Sequence, residues 1–399
     1  MATADTRLDD MLGLPEFEIT DFKQYSGTMT FSLQVKEPPT VCPKCGTYMP
    51  KLVTQKTRRQ EIRDLNILTK CVTLVVSRRY FRCLECGSMF AEPLDCVEGQ
   101  SRMTSRLRQH IAIKARYTPF VDIENEYRIS DTTIRKAFLE DVNRLPAFSE
   151  MDTPSVLGID EICLTKGEYQ RKQAWAVIAN GDENNVMELL DDRSKASVVS
   201  LLQSLKKPQA VEVVTMDMWS GYRAAVHEIL PKALVVIDKF HVVRMANDVM
   251  DNQRRSITRW KEHGLKKNRA VFLMREDRLS EKGLAVRDEW FDAYPELKKA
   301  YELKEAFYRM YDCPNRATAE KYFEDWYRSI PTDLRGFYAI ARTVRRSYKE
   351  IFNYFDAPYT NAFVEGLNRA IRFIADQGCG YDFEVLRGKV LFTAGRKRG

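Results

Sequence analysis

The chain has 399 residues, room for two or three domains with a sizeable core. A hydrophobic fraction of 44% and a charged fraction of 30% are those of an ordinary globular protein, and no apolar run nears the roughly 18 residues that a membrane helix needs. With 63 Lys and Arg against 56 Asp and Glu, the formal charge of +7 permits nucleic acid as a partner without demanding it.

The segment Met1–Asp10 is acidic and lacks a basic-then-apolar signal pattern, so no membrane partner and a cytoplasmic location are expected. Residues 1–40 carry three basic and seven acidic residues and read as an acidic leader. Residues 41–120 reverse this, with fifteen basic and six acidic residues, a net +9. Inside that block lie Cys42-Pro43-Lys44-Cys45-Gly46 and Cys83-Leu84-Glu85-Cys86-Gly87. Two Cys-x-x-Cys knuckles can supply a tetrahedral set of four thiolates for one zinc ion, closed to substrate and therefore structural. The Gly after each pair suits the tight turn of such a knuckle. The alternative is two unrelated reduced pairs. Arg58, Arg59, Arg78 and Arg79 fall on or near the hairpins of this ribbon, placed over 41–100, where they can meet phosphates or simply face water. Cys71 and Cys96 read as plain thiols.

Residues 101–146 read as a helix-turn-helix. Helix one covers about Ser105 to Arg116, helix two Val121 to Tyr127, and the turn is Arg128-Ile129-Ser130. The recognition helix starts at Asp131, with Thr132, Thr133, Arg135 and Lys136 outward and Ile134, Ala137 and Phe138 inward. An ordinary helical bundle with a charged face is the alternative.

After Pro154 the pattern turns α/β. Strands are expected at Val156–Asp160, Ala174–Ala179, Val186–Leu190, Val211–Asp217 and Ala233–Asp238, with helices near 195–205 and 220–230. From about Phe240 to Phe355 the spacing is helical throughout, and a final helix is expected from about Asn361 to Ile374.

Asp160 and Asp217 end the first and fourth of these strands. In a β-β-β-α-β sheet those two strands pair in parallel, which brings the carboxylates side by side. Two adjacent carboxylates need a cation to offset their repulsion, and hard oxygen ligands favour Mg²⁺ or Mn²⁺. Glu365 is the candidate third acid, on a helix face with Asn361, Asn368 and Arg372, while Phe363, Leu367, Ala370 and Ile374 are expected to cover the sheet. The same face would suit a solvent-exposed helix. Asp238-Lys239-Phe240-His241 follows the fifth strand. His241 is a proton carrier, a DNA contact, a helix cap or a core histidine on these grounds.

These residues together resemble the bacterial insertion-sequence transposases of the ISL-three family, over nearly the whole chain. The matching strings are Val156-Leu157-Gly158-Ile159-Asp160-Glu161, Asp217-Met218-Trp219-Ser220-Gly221-Tyr222, Asp238-Lys239-Phe240-His241-Val242-Val243 and Asn361-Ala362-Phe363-Val364-Glu365-Gly366-Leu367-Asn368, with Gly380-Tyr381-Asp382-Phe383-Glu384 near the end. The resemblance implies a multidomain α/β protein: zinc ribbon, helix-turn-helix, then a ribonuclease H-like catalytic domain interrupted by an all-α insertion. The catalytic core would take residues 155–241 and 357–399, and the insertion 242–356. The implied catalytic triad is Asp160, Asp217 and Glu365, with Asp238, His241, Asn361, Asn368 and Arg372 nearby. Gly378-Cys379-Gly380 departs from the more basic approach to the Gly-Tyr element that the family leads one to expect.

The activity so implied is DNA transposition. Two Mg²⁺ (or Mn²⁺) ions at the triad would serve cleavage and strand transfer, and one Zn²⁺ would hold the ribbon. The partners are double-stranded DNA, as transposon ends and as target, and further copies of the chain, as a homodimer or larger assembly, in a bacterial cytoplasm and at the nucleoid when bound. Trp260 and Trp326 are expected to pack in the core, with stacking on distorted or flipped bases near the cut as the alternative. Two other classes compete. A transposase-derived regulator that binds DNA without cutting it would need no intact acids, and a junction-cutting nuclease would leave the two N-terminal modules unexplained.

Overall fold

The computed structural model describes residues 12–99, 101–164, 173–258, 264–378 and 380–395. The chain divides into two compact units, one reaching Leu145 and including Glu384–Lys389, the other formed by Pro146–Phe383 and the residues from Val390.

Period-two alternation builds the sheet of the first unit. Strand β1 (Phe17–Tyr25) turns back into β2 (Thr28–Val35), and β3 (Leu52–Ile67) pairs antiparallel with β4 (Lys70–Cys83) as a long ribbon. Strand β2 runs parallel to β4, giving the order β1-β2-β4-β3, with the short β5 (Met89–Ala91) also on β4. Met29, Phe31, Leu33, Ile62, Leu74 and Val76 enter one core. Each such burial stabilises by roughly 1.5–3 kcal/mol, and a one-residue slip would turn the set to water, so the core fixes the register. The expected acidic leader over 1–40 is therefore corrected: Phe17–Val35 is a hairpin of this sheet. Its acids hid the alternation, because Glu18 and Asp21 take exposed positions while Phe17 faces the core.

Helices α1 (Ser105–Ala115), α2 (Phe120–Tyr127) and α3 (Asp131–Val142) follow. The Thr104 hydroxyl caps α1 by accepting from Leu107 N at 3.3 Å. Arg128 stops α2 in the left-handed conformation, φ 52°, at the turn expected from the sequence. Leu107, Ile111, Ile123, Ile134 and Phe138 form the buried side. Lys389 of the C-terminal helix donates to the carbonyls of Ala115 at 2.6 Å and Thr118 at 2.9 Å. The helices are not divided from the sheet at residue 100. Buried Asp64 on β3 accepts from Thr104 Oγ1 at 2.7 Å and from Arg106 Nε at 2.8 Å, and Arg63 donates to Thr73 and to the Tyr127 carbonyl. The two separately expected modules form one unit because an ion pair and its hydrogen bonds tie them together.

The second unit holds β6 (Val156–Leu164), β7 (Gln173–Asn180), β8 (Asn185–Leu190), α4 (Lys195–Gln203), β9 (Val213–Met216), α5 (Ser220–Ile229) and β10 (Leu234–Ile237). Strands β6, β7 and β8 form an antiparallel meander, and β9 and β10 add in parallel, so the order is β10-β9-β6-β7-β8. Leu157 and Ile159 of β6 join Val214, Met216, Val198, Leu202, Tyr222 and Val226 in the core under α4 and α5. The alternate residues of β6, Gly158 and Asp160, face the other way.

Helix α6 (Lys239–Thr258) leaves the sheet and opens a helical body. It continues as α7 (Gly264–Lys267), α8 (Arg269–Leu273), α9 (Glu281–Ala293), α10 (Pro295–Arg309), α11 (Arg316–Ser329), α12 (Arg335–Arg346) and α13 (Tyr348–Phe352). Phe307, Phe323, Trp326, Phe337 and Phe352 fill its core. Trp326 is 4% exposed and donates Nε1 to the Leu303 carbonyl at 3.0 Å, so it packs in the core as expected and the base-stacking alternative falls. Trp260 lies outside the described residues, as do Cys379 and the basic tail Arg396-Lys397-Arg398.

The chain returns to the sheet as α14 (Ala362–Gln377), then adds α15 (Phe383–Thr393), a helix beyond the one expected to be last. Helix α14 buries Val364, Asn368 and Ile371. Of the expected sheet-covering set, Phe363, Leu367, Ala370 and Ile374 are each half-buried, and Phe363 packs at Gly158 of β6. A Cβ on Gly158 would stand 2.6 Å from Phe363 and Val364, so the glycine is what lets α14 approach β6.

Candidate active site and metal centres

The parallel ladder between β6 and β9 ends at the pair Ile159–Met216. The next residue on each strand is an aspartate, which places Asp160 and Asp217 side by side. Strand β6 continues to Leu164 along β7 alone, so Asp160 lies within its strand and at the end only of the β9 pairing. Carboxylate oxygens of Asp160 and Asp217 and a ring nitrogen of His241 lie within 4.8 Å of one another.

Each group is held. Asp160 accepts from Glu161 N at 2.8 Å and from Asn368 Nδ2 at 2.9 Å. Asp217 accepts from Trp219 N at 2.8 Å. His241 Nδ1 is 3.3 Å from Asp238 Oδ2. Burial pushes the Asp160 carboxyl up from the usual 3.8 to about 6 and pushes Asp217 upward too. His241 is raised chiefly by its bond to Asp238, with the charges of Asp160 and Asp217 adding to it. A buried and a half-buried acid that resist ionisation, beside a histidine that favours its proton, mark a place short of positive charge. A hard divalent cation fits that donor set.

Asn361 stitches the site together. Its Nδ2 donates to the Ile159 carbonyl at 3.2 Å, its Oδ1 accepts from Thr215 Oγ1 at 2.6 Å, and its backbone N–H donates to Asp238 Oδ1 at 3.3 Å. It thereby joins β6, β9 and the start of α6 to the first turn of α14. Glu365 stands one turn on, exposed, on the wall of a cleft of about 430 Å³ that also contains Asp160, Asp238, His241, Asn368 and Arg372. Glu365 is outside the tight cluster of Asp160, Asp217 and His241. Of the shared face read from the sequence, Asn361 and Asn368 are buried against the strands while Glu365 and Arg372 are exposed. Sequence reasoning missed three further lining residues, Glu161, Phe240 and Arg244. Of these, Phe240 carried a signal: an aromatic standing in the polar string Asp238-Lys239-Phe240-His241.

The second centre is in the first unit. Sulfur atoms of Cys42, Cys45, Cys83 and Cys86 lie within 4.8 Å of one another. The knuckles match atom for atom: Gly46 N donates to Cys42 O at 2.9 Å and Gly87 N to Cys83 O at 2.9 Å. Both glycines are left-handed, φ 74° and 75°. Hydroxyls supplied next to the outer cysteines, Thr47 beside Cys45 and Ser88 beside Cys86, lower those two thiols. Four thiols converging without a disulfide are consistent with a structural zinc ion.

The basic residues distribute unevenly. Arg58, Arg59 and Arg78 line a broad depression of about 780 Å³ on the sheet, with Lys23, Arg63 and Arg102. Arg79 does not join them, because it forms an ion pair with buried Glu92 and donates Nε to it at 2.9 Å. Arg79 thus stands apart from the other three arginines, committed to Glu92. On α3, Thr132 and Lys136 are exposed, and Thr133 and Arg135 are half-exposed.

Residues 157–390 match the ISL3 family of DDE domains, described as transposase, and residues 38–86 match the zinc-finger of transposase IS204/IS1001/IS1096/IS1165. The transposase for insertion sequence element IS1001 of Bordetella parapertussis is 24% identical over 368 residues, which cover 89% of this chain and 88% of that one.

Proposed function

Because the chain belongs to the ISL3 family of transposases, we propose that it binds the terminal inverted repeats of an insertion sequence, cleaves DNA there and transfers the freed strand to a target. The observation that carries this reading is the parallel register that sets Asp160 beside Asp217, with Glu365 on the wall of the same cleft. The order β10-β9-β6-β7-β8, with one acid on the central β6 and one at the end of its neighbour β9, fits a ribonuclease H-like core.

Asp160, Asp217 and Glu365 would hold two Mg²⁺ or Mn²⁺ ions. When bound, such ions activate the attacking oxygen and stabilise the leaving oxygen of a phosphodiester. The chain's own residues do the positioning. Asn368 and the Glu161 amide fix the Asp160 carboxylate, and the Trp219 amide fixes Asp217. Asn361 sets where Glu365 stands. His241, its ring oriented by Asp238, holds a proton beside the acids and limits their repulsion.

In the first unit, α2 and α3 would act as a helix-turn-helix whose Thr132, Thr133, Arg135 and Lys136 meet the major groove. Arg58, Arg59 and Arg78 would neutralise backbone phosphates. One zinc ion on the four cysteines would hold the β3–β4 ribbon at its far end. Synapsis of two ends would need a second copy of the chain.

The test is cleavage of a duplex carrying the inverted repeat that flanks the coding region. With Mg²⁺ the wild type should release a 3′-hydroxyl and join it to target. Asp217→Ala and Glu365→Ala should bind the same duplex and do neither. Joining of a pre-cut end by either variant would refute the triad. Binding by the wild type with no metal-dependent cut would favour the regulator.

A further inference from the structure

Among the described residues, ten line the cleft that holds Asp160, and Phe240 is the one apolar side chain of these. The residue is 49% exposed. It lies in the first turn of α6, and Arg244 follows one turn later on the same face. Arg372 enters the cleft from α14. Both arginines are exposed, and neither forms an ion pair with an acid among the described residues. An aromatic face and two uncommitted guanidinium groups thus share one cleft with the acidic cluster.

That combination matches one kind of ligand. A nucleotide strand offers flat bases, which stack on an aromatic ring whatever their sequence, and phosphates, which take the planar fork of arginine. Inside a duplex both faces of a base are already covered. A ring can take a base only after the base has left the stack.

We propose that this cleft captures an unpaired nucleotide next to the cut: its base stacks on Phe240, and Arg244 and Arg372 hold the phosphates to either side. The proposal rests on the reading of the chain as an end-cleaving transposase and deepens it, because it makes local strand opening a step before cleavage. Trp219, 40% exposed near Asp217, does not fill this role. The Arg193 guanidinium covers its ring at 4.2 Å, and Gly221 lies against it.

The experiment uses the full chain and an inverted-repeat duplex with 2-aminopurine at each position flanking the cut in turn. On binding wild type, one position should brighten severalfold as its base leaves the stack. Phe240→Ala should lose that signal and cleave matched duplex about ten- to a hundredfold more slowly, the range set by one base–aromatic stack. A mismatch at that position should restore its rate, and Phe240→Trp should keep both signal and rate. Arg244→Gln and Arg372→Gln should weaken capture without losing the mismatch rescue. Wild type that cleaves with no position brightening overturns the proposal alone, as does Phe240→Ala cutting matched and mismatched ends at the wild-type rate. Wild type that cuts no end with Mg²⁺ or Mn²⁺ overturns the transposase reading and the proposal with it.

Discussion

Replacing Asp160 by asparagine should stabilise the metal-free protein while abolishing cleavage. Burial raises this carboxyl from 3.8 to about 6. At pH 7 it is ionised in the folded state at a cost of about 1.4 kcal/mol for each tenfold change in proton affinity, close to 3 kcal/mol in all. Between about pH 4 and pH 6 the folded state binds more protons at this site than the unfolded state does, so stability falls as pH rises through that window and stays lower above it. An amide carries no such penalty. It also finds a partner: Asn368 Oδ1 is buried with no hydrogen bond among the described residues, and turning that amide over lets it accept from the new side chain. All five Trp lie between residues 175 and 326, so tryptophan fluorescence during urea unfolding reports the second unit alone. In buffer without divalent ions at pH 7, the Asp160→Asn midpoint should rise by about 1 M urea for a slope of 2–3 kcal/mol/M. The gap should close towards pH 4. Added Mg²⁺ should stabilise the wild type and leave the variant unmoved. A variant no more stable than the wild type at pH 7, or one that Mg²⁺ stabilises equally, would refute the reasoning.

Two further changes probe the first unit. Removing zinc with a chelator, or making Cys83→Ser, should unravel the far end of the β3–β4 ribbon; loss of strand signal by circular dichroism and of one bound zinc by atomic absorption would show it, and a Cys83→Ser protein retaining a full zinc equivalent would contradict the assignment. Asp64→Ala leaves Arg106 and Thr104 without their acceptor and should cost about 3 kcal/mol, read as earlier protease cleavage between the sheet and α1; unchanged proteolysis would mean that the tie contributes little.

Local chemistry was legible in the sequence. The knuckle spacing with its glycines, the apolar faces of α1 to α3 and the aspartates that follow the β6 and β9 apolar runs each depend on neighbours within a few residues. The parallel pairing of β6 with β9 was legible too, from the order of the strands, but other longer-range contacts were not. The hairpin Phe17–Val35 was obscured because its acids dominate a charge count while its alternating Met29, Phe31 and Leu33 carry the fold. The union of sheet and helices depends on Asp64 meeting Arg106, forty-two positions apart, and neither residue announces the other. The sequence places Asn361 and Asn368 beside the site, but on a polar face that would equally suit a solvent-exposed helix. They turn inward because Thr215, Ile159 and Asp160 satisfy them, and those partners lie over a hundred residues away.

The use of amides at that junction has a physical reason. Helix α14 must be fixed against strands that carry two crowded acids. An arginine there would neutralise the acids and compete with any cation, and a third buried carboxylate would add to their repulsion. A neutral Asn361 donates to one strand and accepts from the other without altering the charge of the cleft. The same amide solves a problem of chain connection. The helical body opens with α6, next to Asp238, and the chain comes back at Asn361, whose backbone N–H meets that same aspartate. Just before, Asn353 Nδ2 donates to the Val235 carbonyl of β10 at 2.8 Å. The body therefore departs from and returns to one point on the sheet. Lengthening such a loop adds closure cost only logarithmically. A long helical body can thus be carried between the acidic strands and Glu365 while the distance that matters, from β6 to the first turn of α14, stays set by two hydrogen bonds and a glycine.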